Sequence, residues 1–312
     1  MSKTAFVFPG QGAQYAGMGK EFYDNFKESR EIFHRANEAL GFDITKLCFE
    51  GPDEELSITK ITQPALLTVC LAMYEILKKT QNSSVLMAGL SLGEYSALTA
   101  AGAMDFETAV QLVYKRGNYM QNTVPVGEGG MLALLGCKDE DAIAFCKEIT
   151  NRYGLLEPAN FNCPGQIVAG GESTAIDSAL AKTSEFNIKR ALRLQVSAPF
   201  HTSMLKPAGD KLKDDLNKIK FRRPDNKVIS NVDTEYYETN AIIAEKLEKQ
   251  VYNPVRWEAC VRKMIADGVS TFVEIGPGKT LTGFIKKIDK NVKAVNIENI
   301  QGLNSYLQYS GA

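Results

Sequence analysis

Histidine is scarce in this chain of 312 residues, and neither sign of charge predominates. The sequence has two histidines, His34 and His201, one tryptophan and a formal net charge of −1. A chain so close to neutrality has no overall field that would attract nucleic acid or an anionic membrane surface, so neither is an expected partner. Any chemistry that needs an imidazole must use one of two side chains.

Paired cysteines and long apolar runs are also lacking. The six cysteines form no Cys-x-x-Cys pair and have no histidines at metal-type spacing, so we expect reduced thiols and no metal. We expect no signal peptide, because the short apolar strand at the N-terminus runs straight into Pro9-Gly10. There is no run of about 18 apolar residues that could span a membrane. A cytoplasmic protein is therefore expected.

Two glycine-containing segments resemble nucleotide-binding loops, but their spacing is wrong. After Gly10 and Gly12, a dinucleotide fingerprint needs a third small residue, and Tyr15 stands there instead. The Gly-Lys-Thr at 278–280 resembles the end of a P-loop, but Val273 replaces the first glycine. We expect no bound nucleotide at either segment. The 9–14 loop could still supply N–H groups to an oxyanion site.

The centre of the sequence is a Gly-x-Ser-x-Gly motif with Ser91 in the middle. An apolar run at 85–88 precedes it and a helix-compatible run at 94–101 follows it. This context predicts a nucleophile elbow, a sharp strand-to-helix turn that exposes the serine hydroxyl above a helix N-terminus. The alternative is an ordinary strand–helix turn, since a bare Gly-x-Ser-x-Gly also occurs by chance.

The predicted elements divide the chain into two parts. Strands and helices alternate on both sides of the segment 131–194, which is typical of a mostly parallel sheet covered by helices. A Pro/Gly-rich stretch at 124–130 precedes a strand-helix-strand-strand-helix-strand pattern, the ferredoxin-like order. We therefore predict an α/β-hydrolase-like large domain, residues 1–126 and 197–312, with an inserted ferredoxin-like small domain, residues 127–196. Helices are predicted at 28–40, 62–79, 105–122, 239–250 and 255–267, and strands of the large domain at 4–8, 227–232, 271–275 and 292–297.

A serine nucleophile needs a base, and His201 is the better of the two candidates. It lies in a Pro-Phe-His loop far downstream of Ser91, whereas His34 shares a charged helix face. No acidic partner can be singled out, and a carbonyl could orient the imidazole equally well. Arg116, in the helix after the elbow, could bind a carboxylate or could lie on the surface, and the sequence favours neither.

Taken together, these motifs resemble the malonyl-CoA:acyl carrier protein transacylases. The similarity extends from Ala5 to about Ile288 and is much more specific than the serine motif alone. The family is also similar to the acyltransferase domains of polyketide and fatty acid synthases, but we expect a discrete enzyme without flanking synthase domains. The matching segments are Phe8-Pro9-Gly10-Gln11-Gly12, Gln63-Pro64-Ala65, Gly89-Leu90-Ser91-Leu92-Gly93-Glu94-Tyr95-Ser96-Ala97-Leu98, Arg116-Gly117, Asn162-Cys163-Pro164-Gly165-Gln166, Phe200-His201, Tyr252-Asn253-Pro254-Val255 and Glu274-Ile275-Gly276-Pro277-Gly278.

The resemblance implies a role for each matching residue. Ser91 would carry the malonyl group as an ester, His201 would act as base and then acid, and Arg116 would hold the malonyl carboxylate. The resemblance further implies an oxyanion hole from the N–H groups of Gln11 and Leu92, a carbonyl of Gln250 that orients His201, and pocket positions for Gln63, Asn162 and Phe200. Leu90 stands where many members have a histidine that is not the base.

The resemblance also implies the partners. Malonyl-CoA would be the donor and acyl carrier protein the acceptor, with no cofactor, and nothing in the sequence requires more than a monomer. A serine ester or thioester hydrolase, an acyltransferase serving a polyketide synthase and a non-catalytic binding protein are the alternatives. Five basic residues could contact the acidic carrier, although charged runs of this kind are more often ordinary solvated surface: Lys189, Arg190, Arg193, Lys286 and Lys287.

Overall fold

The fold was obtained as a computed structural model that describes residues 3–78, 85–196 and 198–310. The strands are β1 (Lys3–Phe8), β2 (Leu86–Gly89), β3 (Gly129–Leu135), β4 (Leu156–Cys163), β5 (Gln166–Glu172), β6 (Arg190–Arg193), β7 (Val269–Ile275) and β8 (Lys293–Ile297). The helices are α1 (Lys20–Asn25), α2 (Lys27–Leu40), α3 (Ile44–Glu50), α4 (Asp53–Leu56), α5 (Thr59–Lys78), α6 (Leu92–Ala100), α7 (Phe106–Thr123), α8 (Asp139–Tyr153), α9 (Ser173–Lys182), α10 (Lys206–Leu216), α11 (Ile243–Gln250), α12 (Trp257–Ala266), α13 (Thr280–Ile288) and α14 (Ile300–Ser310).

One sheet is parallel and has the order β2-β1-β7-β8. Its central strands, β1 and β7, are mostly buried, as expected when helices cover both faces of a parallel sheet. The apolar helix α5 packs against α2 and α7 on one side of this sheet. Because parallel strands all end at the same edge, the loops after β1, β2 and β7 meet there.

The second sheet is antiparallel and has the order β4-β5-β3-β6. Its elements follow the chain order β3-α8-β4-β5-α9-β6, and α8 and α9 pack against it over a separate apolar core. The chain is therefore a mixed α/β protein with one parallel and one antiparallel sheet. Within the described residues, no helix is both long enough and apolar enough to cross a bilayer.

Several predicted element boundaries differ from the structure. The predicted strand at 227–232 is wrong: it makes only two isolated bridges, Met87 with Val228 and Ile229 with Tyr236, because the chain turns back at Thr234, whose φ is 61°. Helix α5 begins at Thr59, three residues before the predicted start, and its predicted end at residue 79 lies outside the described residues. The predicted domain boundary at residue 197 also lies outside them.

Candidate active site

Ser91 occupies a strained turn between β2 and α6. Its backbone has φ 53° and ψ −106°, a region that residues with a side chain rarely adopt. The turn places Ser91 directly before the first residue of α6, so the helix N-terminus points its N–H groups and positive dipole end toward the serine. The sharp strand-to-helix turn predicted around Ser91 is present.

The two glycines of the motif allow the strand and the helix to approach closely. A Cβ on Gly89 would lie 1.8 Å from the carbonyl carbon of Gly93, and a Cβ on Gly93 would lie 2.1 Å from the carbonyl oxygen of Phe8. Both distances are impossible for real atoms, so only glycine permits this packing. The motif is therefore required by the geometry of the turn.

A hydrogen-bond chain connects Ser91, His201 and Gln250. Ser91 Oγ lies 2.7 Å from Nε2 of His201, and Nδ1 of His201 lies 2.7 Å from the carbonyl oxygen of Gln250. A carbonyl can only accept, so Nδ1 carries the proton and Nε2 is free to accept one from the serine hydroxyl. The other histidine, His34, is exposed on α2, as the sequence predicts.

Burial keeps His201 neutral. The side chain is 3% exposed, and its pKa is lowered to about 3 by burial and by the nearby charge of Arg116. The hydrogen bond to the Gln250 carbonyl opposes this shift without overcoming it. At neutral pH the imidazole is therefore in the form that accepts a proton.

Arg116 points into the site and not toward solvent. The residue is 1% exposed and its Nη2 lies 3.1 Å from Ser91 Oγ. Gln63 Oε1 accepts from Nη1 at 2.8 Å, and Gln250 Oε1 accepts from Nη2 at 3.0 Å. The neighbouring Lys115 points the other way, where its half-exposed side chain pairs with Asp215. Helix packing thus buries Arg116 and excludes the surface position that the sequence left open.

The predicted site residues converge on one cavity of about 260 Å³ between the two sheets. Ser91, His201 and Arg116 line it, and Gln250 lies behind His201. The remaining predicted residues on its wall are Gln11, Gln63, Leu92, Asn162 and Phe200. The arrangement joins an activated hydroxyl, a neutral imidazole and a buried cation, which suits acyl transfer from a substrate with a carboxylate.

Comparison with known proteins agrees with this chemistry. Residues 5–305 match the family model described as the acyl transferase domain. The chain belongs to this acyl transferase family. As an acyltransferase it also has close relatives: a malonyl CoA-acyl carrier protein transacylase from Bacillus subtilis (strain 168) is 44% identical over 308 residues, which are 99% of this chain and 97% of the relative.

Solved structures of similar proteins have the same fold as this acyltransferase. The malonyl CoA-acyl carrier protein transacylase from Clostridium perfringens Atcc 13124 is 48% identical, with a TM-score of 0.94, over 99% of this chain and 97% of that one. Another structure is of a type II PKS acyl carrier protein in complex with its malonyl-transacylase. It matches with a TM-score of 0.95 at 40% identity, over 99% of this chain and 100% of that one.

Asn231 is a residue of the acyltransferase site that sequence reasoning missed. Its Oδ1 accepts from the Ser91 N–H at 2.7 Å, and its Nδ2 donates to the Gly89 carbonyl at 2.9 Å. One side chain therefore holds the backbone on both sides of the elbow. The available signal was its position just after the apolar segment 228–229, because loops that follow strands often carry functional groups.

Glu94 and the side chain of Gln250 form a polar cluster beneath the elbow. Glu94 is 0% exposed and accepts from Gln250 Nε2, from the Asn231 N–H and from the Tyr237 hydroxyl. Gln250 Nε2 also donates to the Ser91 carbonyl at 3.0 Å. Glu94 directly follows the Gly-x-Ser-x-Gly motif, but an acidic residue in the first turn of a helix gave no sign that it would be fully buried.

Proposed function

We propose that this acyltransferase moves the malonyl group from malonyl-CoA to the phosphopantetheine thiol of acyl carrier protein, supplying fatty acid chain elongation. The proposed intermediate is a malonyl ester on Ser91. The observation that carries the proposal is the buried Arg116 guanidinium 3.1 Å from Ser91 Oγ. A cation beside the nucleophile suits an acyl group that has its own carboxylate.

In the first proposed step, Ser91 Oγ attacks the thioester carbonyl of malonyl-CoA. His201 Nε2, 2.7 Å away, takes the hydroxyl proton as the new C–O bond forms. When the C–S bond breaks, the imidazolium gives this proton to the departing CoA sulfur. The Gln250 carbonyl stabilises the imidazolium from the other side, in the place that a carboxylate occupies in acidic triads.

The oxyanion of the tetrahedral intermediate would accept from the N–H groups of Gln11 and Leu92. Both residues line the cavity beside Ser91, and Leu92 is the first residue of α6. N–H groups in the first turn of a helix have no acceptor within the helix, so they can bind a developing negative charge. One such donor contributes roughly 100-fold to 1,000-fold to the rate.

In the second proposed step, the carrier thiol gives its proton to His201 and attacks the malonyl ester. The C–S bond forms, the ester C–O bond breaks, and the proton returns to Ser91 Oγ. Each proton and electron pair moves between groups already named, so we propose that no cofactor or metal takes part.

Arg116 would give the selectivity for malonyl over acetyl. A bound malonyl carboxylate pairs with the guanidinium fork, whereas an acetyl group leaves this buried cation without an anionic partner. We propose that Gln63 fixes the fork through its 2.8 Å hydrogen bond, and that Asn162 and the bulky Phe200 shape the acyl pocket. The cavity between the two sheets would keep water from the acyl ester.

We also propose the finer description of the fold. The β-α-β-β-α-β order with strand order β4-β5-β3-β6 supports a ferredoxin-like small domain at 127–196. The elbow after β2 of a parallel sheet supports an α/β-hydrolase-like large domain formed by 1–126 and 197–312. A monomer is proposed as the functional unit, since one chain contains every proposed group.

A transfer assay separates this function from the alternatives. The protein is mixed with malonyl-CoA, with or without phosphopantetheinylated acyl carrier protein, and malonyl-carrier and free malonate are both measured. We expect malonyl-carrier to accumulate and little malonate to form. Malonate release at a rate independent of the carrier would identify a hydrolase. Transfer to a polyketide carrier but not to a fatty acid carrier would place the enzyme with a polyketide synthase, in line with the polyketide complex among its structural relatives.

A further inference from the structure

Two opposite charges are buried here, one on the cavity wall and one beneath it, and a single neutral amide connects them. Arg116 is 1% exposed and Glu94 is 0% exposed. Nη2 of Arg116 donates to Gln250 Oε1 at 3.0 Å, and Nε2 of the same amide donates to Glu94 Oε2. The Gln250 side chain therefore links the cation to the anion through two hydrogen bonds.

The other partners of both charges are neutral. Arg116 donates to Gln63 and Ser91, while Glu94 accepts from the Tyr237 hydroxyl and a backbone N–H. In the part of the chain that the structure describes, neither forms a direct ion pair with a charged side chain, and Nε of Arg116 has no hydrogen-bond partner. In its ionised form, Glu94 is thus the charge that balances Arg116 within this buried cluster before substrate binds.

The neighbouring titratable groups stay neutral around pH 7. Tyr95 follows Glu94 in α6, and burial raises its pKa to about 12. Burial also raises the pKa values of Tyr237 and of Cys260, on α12, well above their ordinary values. On the far side of Arg116, the pKa of His201 is lowered to about 3, mainly by burial. None of these groups can gain or lose a proton easily at neutral pH.

Glu94 itself is poised to titrate in this range. Burial raises its pKa to about 7, against the opposing hydrogen bonds from Tyr237, Gln250 and Asn231 and the charge of Arg116. A further negative charge near this cluster would raise the pKa again.

A malonyl group would bring such a charge, provided that Arg116 holds its carboxylate as the proposed function requires. Two buried anions would then share one cation, and an uncompensated buried charge is strongly unfavourable. We infer that loading malonyl onto Ser91 is coupled to the uptake of one proton from solvent by Glu94. The acylation step takes up no proton of its own, because the serine proton passes through His201 to the CoA sulfur as the C–O bond forms and the C–S bond breaks.

The coupling has a definite pH dependence. Below about pH 7 Glu94 is already protonated, so malonyl binds without a linked proton. Above about pH 7 Glu94 must take up a proton for malonyl to bind, so the malonyl-to-acetyl ratio of kcat/KM should fall by up to about tenfold per pH unit. Acetyl has no carboxylate, so its loading should not be coupled to Glu94.

Proton uptake can be measured directly in a single turnover. The intact protein is mixed with malonyl-CoA or acetyl-CoA in weak buffer with an indicator dye, and released CoA is followed in parallel. Protons released or taken up by the CoA thiol are the same for both substrates. The difference between the two substrates therefore measures proton uptake by the protein alone. At about pH 8 we expect malonyl loading to take up close to one proton per CoA released, with much less uptake at about pH 6. Equal proton changes for malonyl and acetyl would overturn the inference.

Two variants assign the proton to its site. Glu94→Gln keeps the shape and removes the titrating group, so the proton uptake and the pH dependence of the malonyl-to-acetyl ratio should both disappear. Tyr237→Phe removes a donor to the carboxylate and raises the pKa of Glu94, so the uptake should persist but begin at higher pH. If Glu94→Gln does not fold, an unshifted profile in Tyr237→Phe contradicts the inference. CoA release without extra proton uptake defeats this inference alone, whereas failure to release CoA defeats the proposed function.

Discussion

Replacing Arg116 with alanine should harm malonyl transfer far more than acetyl transfer. The guanidinium is 1% exposed and lies 3.1 Å from Ser91 Oγ. A malonyl carboxylate held there would form a buried charge pair, and truncating one partner of such a pair costs about 2–5 kcal/mol. At about 1.4 kcal/mol per factor of ten, kcat/KM for malonyl-CoA should fall by roughly 30-fold to 5,000-fold.

The ratio of malonyl to acetyl activity is the informative quantity. Arg116→Ala also removes the hydrogen bond to Ser91 Oγ, but both acyl groups lose that contact and its effect cancels in the ratio. Arg116→Lys is the matched control, since it keeps the positive charge and loses the two-pronged fork. Its ratio should lie between those of the wild type and the alanine variant.

The assay follows CoA release from malonyl-CoA and acetyl-CoA with saturating carrier protein, and thermal unfolding checks that each variant folds. A folded Arg116→Ala protein whose malonyl-to-acetyl ratio stays within about threefold of wild type would refute the role of Arg116. Equal losses for both substrates would mean that Arg116 supports the serine and does not recognise the carboxylate.

Three further changes test the geometry of the elbow and the base. Because the pKa of His201 is lowered to about 3, acetyl loading in pH-jump kinetics should stay flat from about pH 8 to pH 5, and a loss near pH 6.5 would contradict this. Asn231→Ala leaves the Ser91 N–H and the Gly89 carbonyl unpaired, so chemical denaturation should show a loss of about 2–6 kcal/mol, and malonyl and acetyl loading should slow equally. Unchanged stability and rates would remove its positioning role. Gly93→Ala puts a Cβ 2.1 Å from a carbonyl oxygen, so it should not yield soluble folded protein, and a normally active variant would show that the close approach is not required.

The same histidine links folding to pH. In the unfolded chain His201 binds a proton below about pH 6.5, whereas in the folded protein it stays neutral down to about pH 3. The unfolded state therefore binds more protons between these values, and this group lowers stability as the pH falls through that window. Glu94 acts in the opposite sense, because its raised pKa makes the folded state bind more protons than the unfolded state between about pH 4.5 and pH 7. Its contribution to the free energy of unfolding therefore falls as the pH rises through that window.

The parts of the site that depend on local structure could be predicted from the sequence. The Gly-x-Ser-x-Gly turn is encoded within five residues, and with only two histidines the one that contacts Ser91 could be chosen by its loop position. Arg116 could not be placed from the residues alone, because it and Lys115 are adjacent in a helix whose packing against α5 decides which of them turns inward.

The parts of the site that the sequence did not reveal, Asn231 and the buried Glu94, depend on contacts between distant segments. Asn231 reaches Ser91 across 140 positions, through a single bridge between Met87 and Val228 that no local pattern encodes. The same segment looked like a full strand because Val228, Ile229 and Val232 are apolar, whereas the folded chain turns back at Thr234. The burial of Glu94 arises only when α6, Asn231 and Gln250 come together in the folded protein.

The central claim is that Ser91 carries the acyl group between donor and carrier, and peptide mapping by mass spectrometry tests it most directly. The protein is mixed with malonyl-CoA in the absence of carrier, quenched in acid and digested. We predict one malonyl group on the peptide that contains Ser91, its loss when phosphopantetheinylated carrier is added before the quench, and its appearance on the carrier. Malonyl transfer to the carrier with Ser91 never modified, or equal labelling of the Ser91→Ala variant, would contradict the account.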